Sequence, residues 1–157
     1  MIMTNSMANK SQNSVESSWK VKLLYDGDCP LCMREVRFLQ KKDQGKGLVK
    51  LVNIAEDNYD ANKHCSVDYK SAMGRIHAIL PDGTILRDVE AFRYVYEVLG
   101  MGWVYAITKL PIVGKIANWV YGIWAKLRLP LTGRPNLETI IAEREAKEKC
   151  HSNVCKP

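Results

Sequence analysis

The stretch Leu23–Cys32, LLYDGDCPLC, decides how the chain is read. An apolar-biased run, KVKLLY from Lys20 to Tyr25, stops at Asp26-Gly27-Asp28, and two cysteines follow with two residues between them. The run reads as a strand entering a turn. From Pro30 the period changes. Leu31, Met33, Val36, Phe38 and Leu39 are interspersed with Arg34, Glu35, Arg37 and Gln40, the pattern of an amphipathic helix. Late lysines and a glycine end it between Lys42 and Gly45. LVKLVNI, Leu48–Ile54, then reads as a second strand. A strand-helix-strand unit of this kind makes parallel strands with a right-handed crossover.

Farther along, Asn58–Ser71 is polar, with room for a short helix. RIHAIL (Arg75–Leu80) and TILRD (Thr84–Asp88) form a hairpin around Pro81-Asp82-Gly83. Val89–Leu99 is helical in period, with Val89, Phe92, Val95, Tyr96 and Leu99 on one face and Gly100 and Gly102 as its stop. The segment from Met101 to Arg134 is strongly apolar, but Lys109, Pro111, Gly114 and Lys115 break it near the middle, too early for a membrane span of about twenty apolar residues. It reads as a short helix, then a Pro-led helix from Ile112 to Leu127. Its apolar faces, with Trp103, Trp119 and Trp124, are expected to pack on the domain. Asn136 caps a last, charged helix reaching Lys149.

The order strand-helix-strand, then strand-strand-helix, gives an α/β fold with an added C-terminal helical segment. Three regions are expected: a disordered leader over 1–19, a domain with its C-terminal helices over 20–135, and a charged helix and tail over 136–157. With 157 residues, 46% hydrophobic and 25% charged, the chain can bury a core. The first eighteen residues are polar and carry neither a secretory apolar block nor the arginines of a transit peptide. Five cysteines without an export signal suggest a reducing compartment, and the cytoplasm is the expected location. The net charge is +6, yet no acidic residue stands between Glu97 and Glu138, where Lys109, Lys115, Lys126, Arg128 and Arg134 gather. These read as a solvated basic face, or as a face toward an anionic partner. No nucleic-acid partner is indicated.

Thiol–disulfide exchange needs one thiolate that attacks and a second thiol that resolves the mixed disulfide. CPLC at a helix start meets this need. Cys29 takes the N-cap, Pro30 the first helical position, where its missing amide is harmless, and Cys32 sits one turn on. The helix dipole and free amides favour a thiolate at Cys29, as in sites where thiol pKa values fall to about 3.5–7.5. Cys29 is thus expected to be the attacking thiol, and Cys32 the less exposed, resolving one. Asp26 and Asp28 oppose the thiolate, which leaves a moderately acidic thiol and a reducing poise. They also serve the turn and the cap, and Asp26 is placed to take the proton of Cys32. Cys65 has no partner in sequence. One rival is a zinc-binding module built from Cys29, Cys32, Cys150 and Cys155 or His151, which needs the C-terminal CHSNVC to fold back. Another is a membrane-surface interaction protein with incidental cysteines.

YDGDCPLC, Tyr25–Cys32, resembles the signature of the DCC family of thiol-disulfide oxidoreductases. The hairpin RIHAILPDGTI, the Leu99-Gly100 helix end, the Pro-led apolar helix with Tyr121, then Arg128 and Gly133-Arg134 extend the likeness from about Val21 to Arg134. The resemblance implies a thioredoxin-like fold and protein-disulfide reductase activity at Cys29 and Cys32, with no metal. No cofactor is expected beyond an external dithiol donor such as a thioredoxin system. A protein or small-molecule disulfide is the expected substrate. Two departures stand out. No cysteine follows Gly133-Arg134 closely, and the segment before Arg75, SAMG, lacks the proline that thioredoxins place there.

Overall fold

The computed structural model describes residues 18–152, and nearly all of the expected leader lies outside the described residues. Four strands form one sheet: β1 (Val21–Tyr25), β2 (Val49–Asn53), β3 (His77–Ile79) and β4 (Ile85–Arg87). Their order is β2-β1-β3-β4. β1 pairs with β2 in parallel, Val21 against Val49 through Tyr25 against Asn53. β3 pairs antiparallel with both β1 and β4. Five α-helices accompany the sheet: α1 (Pro30–Asp43), α2 (Tyr69–Gly74), α3 (Asp88–Val98), α4 (Pro111–Leu131) and α5 (Leu137–Ser152). The polar stretch after β2 holds a short 3-10 turn, Ala61–His64, and then α2.

β1 is covered on both faces because its side chains alternate into two cores. Val21 and Leu23 pack with Leu39 of α1 and with Ala91, Val95 and Tyr96 of α3. Leu24 points the other way, into a cluster with Met73 of α2, Leu129 of α4 and Ile140 of α5. Leu23, Leu24 and Leu39 are almost wholly buried, and each such side chain contributes roughly 1.5–3 kcal/mol. The strand thus sits in the middle of the molecule, and its C-terminal end delivers the CPLC segment.

α1 starts where the sequence places it. Cys29 is the extended N-cap, without a side-chain cap bond, and Pro30 opens the helix. The helix ends at Gln44, in the left-handed region at φ 52°, one residue before Gly45. The Asp43 carboxylate accepts from the amides of Gly47 and Leu48 and so steers the chain into β2.

α5, the charged helix, is joined to the body through the buried Ile140 and Arg144. The Arg144 guanidinium donates to the carbonyls of Ala55 and Glu56 and lies over the Tyr69 ring. The segment before α5 departs from expectation. It forms two 3-10 turns, Gly102–Val104 and Ala106–Lys109, and then the 21-residue α4. Only one side of α4 meets the domain. Trp103 is 78% exposed and Trp119 69%, so these rings do not pack on the body as the sequence suggested. The reason is that α4 turns the buried Arg128 inward, against Cys32 at the head of α1. No helix among the described residues is long and apolar enough to cross a membrane.

Candidate active site

The turn from β1 to α1 is held by its own side chains and by the neighbouring strand. Asp26 accepts the Asp28 amide at Oδ1, and the Cys29 amide donates to the Asp26 carbonyl. Asn53, at the end of β2, accepts the Gly27 amide at 2.9 Å and the Ala55 amide at 3.0 Å. It lies so close that a Cβ on Gly27 would overlap the Asn53 side chain, which is why glycine stands there. Pairing β1 with β2 therefore fixes the loop that presents the cysteines.

Cys29 and Cys32 are both free thiols within hydrogen-bonding reach of each other, as one turn of α1 requires. Their exposure is the reverse of the expectation. Cys29 has no exposed surface, while Cys32 is partly open. The helix start alone does not decide access. Cys29 is enclosed at the N-cap, whereas Cys32 faces a cavity of about 550 Å³. Phe38, Phe92, Tyr105, Tyr121 and Trp124 supply aromatic walls to that cavity, and Arg128 and Asp26 also line it.

Three charged groups converge behind the thiols. Arg128 of α4 is 6% exposed and donates from Nη1 to Cys32 Sγ at 3.1 Å. Its other terminal nitrogen donates to the Met73 carbonyl. Asp26, 2% exposed, pairs with Arg134 and stands 3.9 Å from Arg128. Burial works against the Arg128 charge, but Cys32, Asp26 and Cys29 together raise its pKa above the ordinary value. The Cys32 thiol is pushed up to about 12. Burial is the main cause, Arg128 acts in the opposite sense, and the hydrogen bond with Cys29 adds to the rise. The Tyr121 hydroxyl accepts the Ile76 amide at 3.0 Å and so ties α4 to the segment entering β3.

Of the residues singled out from sequence, Cys29, Cys32, Asp26 and Pro30 are brought together at the head of α1. Asp28 contributes only its amide to the turn and its side chain is exposed. Asp26 is more than a turn former, because its charge is matched by two arginines. Arg128 and Arg134 are not part of a solvated basic face. The signal for Arg128 was present: it follows Tyr121 and Ala125 at helical spacing on the inward side of α4. Cys65 and Cys150 are exposed. Cys155 lies outside the described residues. Among the described residues, no group of three or more His, Cys, Asp or Glu side chains is gathered for a metal.

The chain matches the family of DCC1-like thiol-disulfide oxidoreductases over residues 23–134. It is also 49% identical, over 138 residues and 88% of its length, to an Arabidopsis thaliana protein named as uncharacterized and chloroplastic. The chain spans 63% of that relative's length. No solved structure matches it. The matched region runs from β1 through the CPLC turn to Arg128 and Arg134, the elements that build the site, and the chain belongs to the DCC1-like thiol-disulfide oxidoreductase family.

Proposed function

We propose that this chain reduces disulfides, protein disulfides above all, by cycling the Cys29–Cys32 pair on a thioredoxin-like fold. One observation carries the reading: two free thiols share the first turn of a helix, and a buried guanidinium contacts the more open one. The sheet order β2-β1-β3-β4, with β3 antiparallel to its neighbours, supports the thioredoxin-like assignment.

Access supports the following division of roles. Cys32 is the sulfur that faces the cavity, so its thiolate attacks the substrate disulfide. The substrate S–S bond breaks, one substrate sulfur leaves and takes a proton, and a mixed disulfide forms on Cys32. The Cys29 thiolate then attacks Cys32 Sγ and releases the second substrate thiol. Two electrons and two protons reach the substrate, and the Cys29–Cys32 disulfide remains for an external dithiol to reduce. Arg128 supplies the counter-charge for the Cys32 thiolate.

Trapping tests the assignment. With a disulfide-bonded protein such as insulin, Cys29→Ser is expected to accumulate a mixed disulfide on Cys32, and Cys32→Ser none. The opposite pattern makes Cys29 the entering thiol, and reduction surviving the double variant ends the redox reading. For location, the cytoplasm remains the reading from the sequence, with a plastid the competing one because of the relative named as chloroplastic. A fluorescent fusion of the full chain decides between them.

A further inference from the structure

The thiol chemistry leaves one large feature unused, the outer side of α4 and the turns before it. A helix packed on a domain in water turns its apolar face inward. α4 buries little of its apolar surface, chiefly Ala125 and Leu129. Its inward side presents Arg128 to Cys32 and the Tyr121 hydroxyl to the Ile76 amide. Its outward side carries Ile112, Ile116, Trp119, Ile123 and Leu127, each 40–74% exposed. These positions are three or four residues apart, so they form one stripe along the helix. Trp103, Ile107 and Leu110, more than half exposed, extend it onto the preceding turns. An apolar surface of this extent on a soluble domain marks a contact face.

Charge identifies what covers it. No acidic residue occurs between Glu97 and Glu138. Lys115 and Lys126 are exposed and stand at i−4 and i+7 from Trp119, so all three share one edge of the stripe. A second copy of the chain would set these lysines against a face that offers no acid. A bilayer carrying anionic headgroups meets both demands: acyl carbon for the isoleucines, phosphate for the lysines, and the interfacial layer that tryptophan favours. α4 cannot enter the hydrocarbon whole, because its other side is bound to Cys32, to the Met73 carbonyl and to the Ile76 amide.

We propose that α4 and the two turns before it dock on an anionic membrane surface, with the helix lying along the interface. Trp124 borders this stripe and also lines the cavity that Cys32 faces, so docking sets the thiol pair beside the lipid headgroups. The proposal goes beyond the redox reading and does not depend on it.

The test uses the full chain and sucrose-loaded vesicles, of phosphatidylcholine alone or mixed with phosphatidylglycerol. The protein is expected to sediment with the mixed vesicles, with a blue shift of tryptophan emission, and to release as salt is raised. Joint Lys115→Glu and Lys126→Glu changes are expected to weaken partitioning about tenfold or more. Joint Ile116→Asp and Trp119→Ser changes are expected to abolish it. Both variants should keep the circular dichroism and thiol titre of the parent, which separates a lost surface from a lost fold. Failure to sediment with the mixed vesicles overturns the proposal. So does binding that the Ile116 and Trp119 changes leave intact. A dimer in light scattering that Ile116→Asp dissociates would assign the stripe to a second copy instead.

Discussion

Arg128 Nη1 stands 3.1 Å from Cys32 Sγ, and Asp26 balances both Arg128 and Arg134 in a space almost closed to water. Removing one partner of such a buried group leaves the others uncompensated, at a cost of about 3–5 kcal/mol. Asp26→Ala is therefore expected to lower unfolding free energy by that order in a urea titration, and an unchanged midpoint would refute the charge balance. The thiol gives a pH prediction. Its pKa in the folded chain is raised, chiefly by burial, to about 12. The neutral thiol is thus the favoured form. Its contribution to stability is complete below the ordinary thiol pKa and is lost as pH rises from there toward about 12. Alkylation of Cys32 by iodoacetamide, followed by peptide mass spectrometry, is expected to keep accelerating past about pH 8.5, where an ordinary thiol levels off. Disulfide reduction should climb with pH in the same way. Arg128→Gln, which removes the opposing charge, is expected to slow alkylation further. A plateau near neutral pH would contradict this account. Cys29 and Cys32 could be read from their spacing, because one helical turn is a local matter. Arg128 could not be assigned to Cys32, nor Arg134 to Asp26, because these partners lie 96 and 108 positions apart and only the tertiary fold joins them.

The elements were more legible than their surroundings. β1, α1 and β2 fall within a residue or two of the sequence reading, because period and turn chemistry act over a few residues. α2 was ambiguous, being only six residues long and preceded by the left-handed Cys65 and Ser66. α4 starts within a residue of its expected place but runs on to Leu131, four residues past the expected end, and it was given the wrong environment. Its apolar stripe was assigned to the core, while the core side is taken by Ala125, Leu129, Tyr121 and Arg128. The joint between β1 and α1 carries its own prediction. Gly27→Ala brings a methyl group into the Asn53 side chain, which holds two backbone amides. Overpacking of that kind costs about 1–3 kcal/mol. The expected result is a lowered melting temperature together with slower disulfide reduction, and parent-like values of both would show that the Asn53 clamp is dispensable.

At the scale of the whole molecule, a parallel β1–β2 pair carries the CPLC turn, while the long helix α4 crosses back to place one guanidinium against it. Burial at the thiol pair determines the redox poise expected of it. A strongly oxidising pair has a stabilised thiolate, whereas burial here favours the neutral Cys32 thiol. The potential is therefore expected near that of thioredoxin, about −270 mV, and far from the strong oxidants at about −120 mV. The most direct measurement is a redox titration of the full chain. The protein is equilibrated in graded dithiol/disulfide buffers, its free thiols are alkylated, and the modified cysteines are mapped by mass spectrometry. Cys29 and Cys32 are expected to switch together, reversibly, at a single reducing potential. Cysteines that stay reduced throughout, or that are protected until a chelator is added, would contradict the oxidoreductase account.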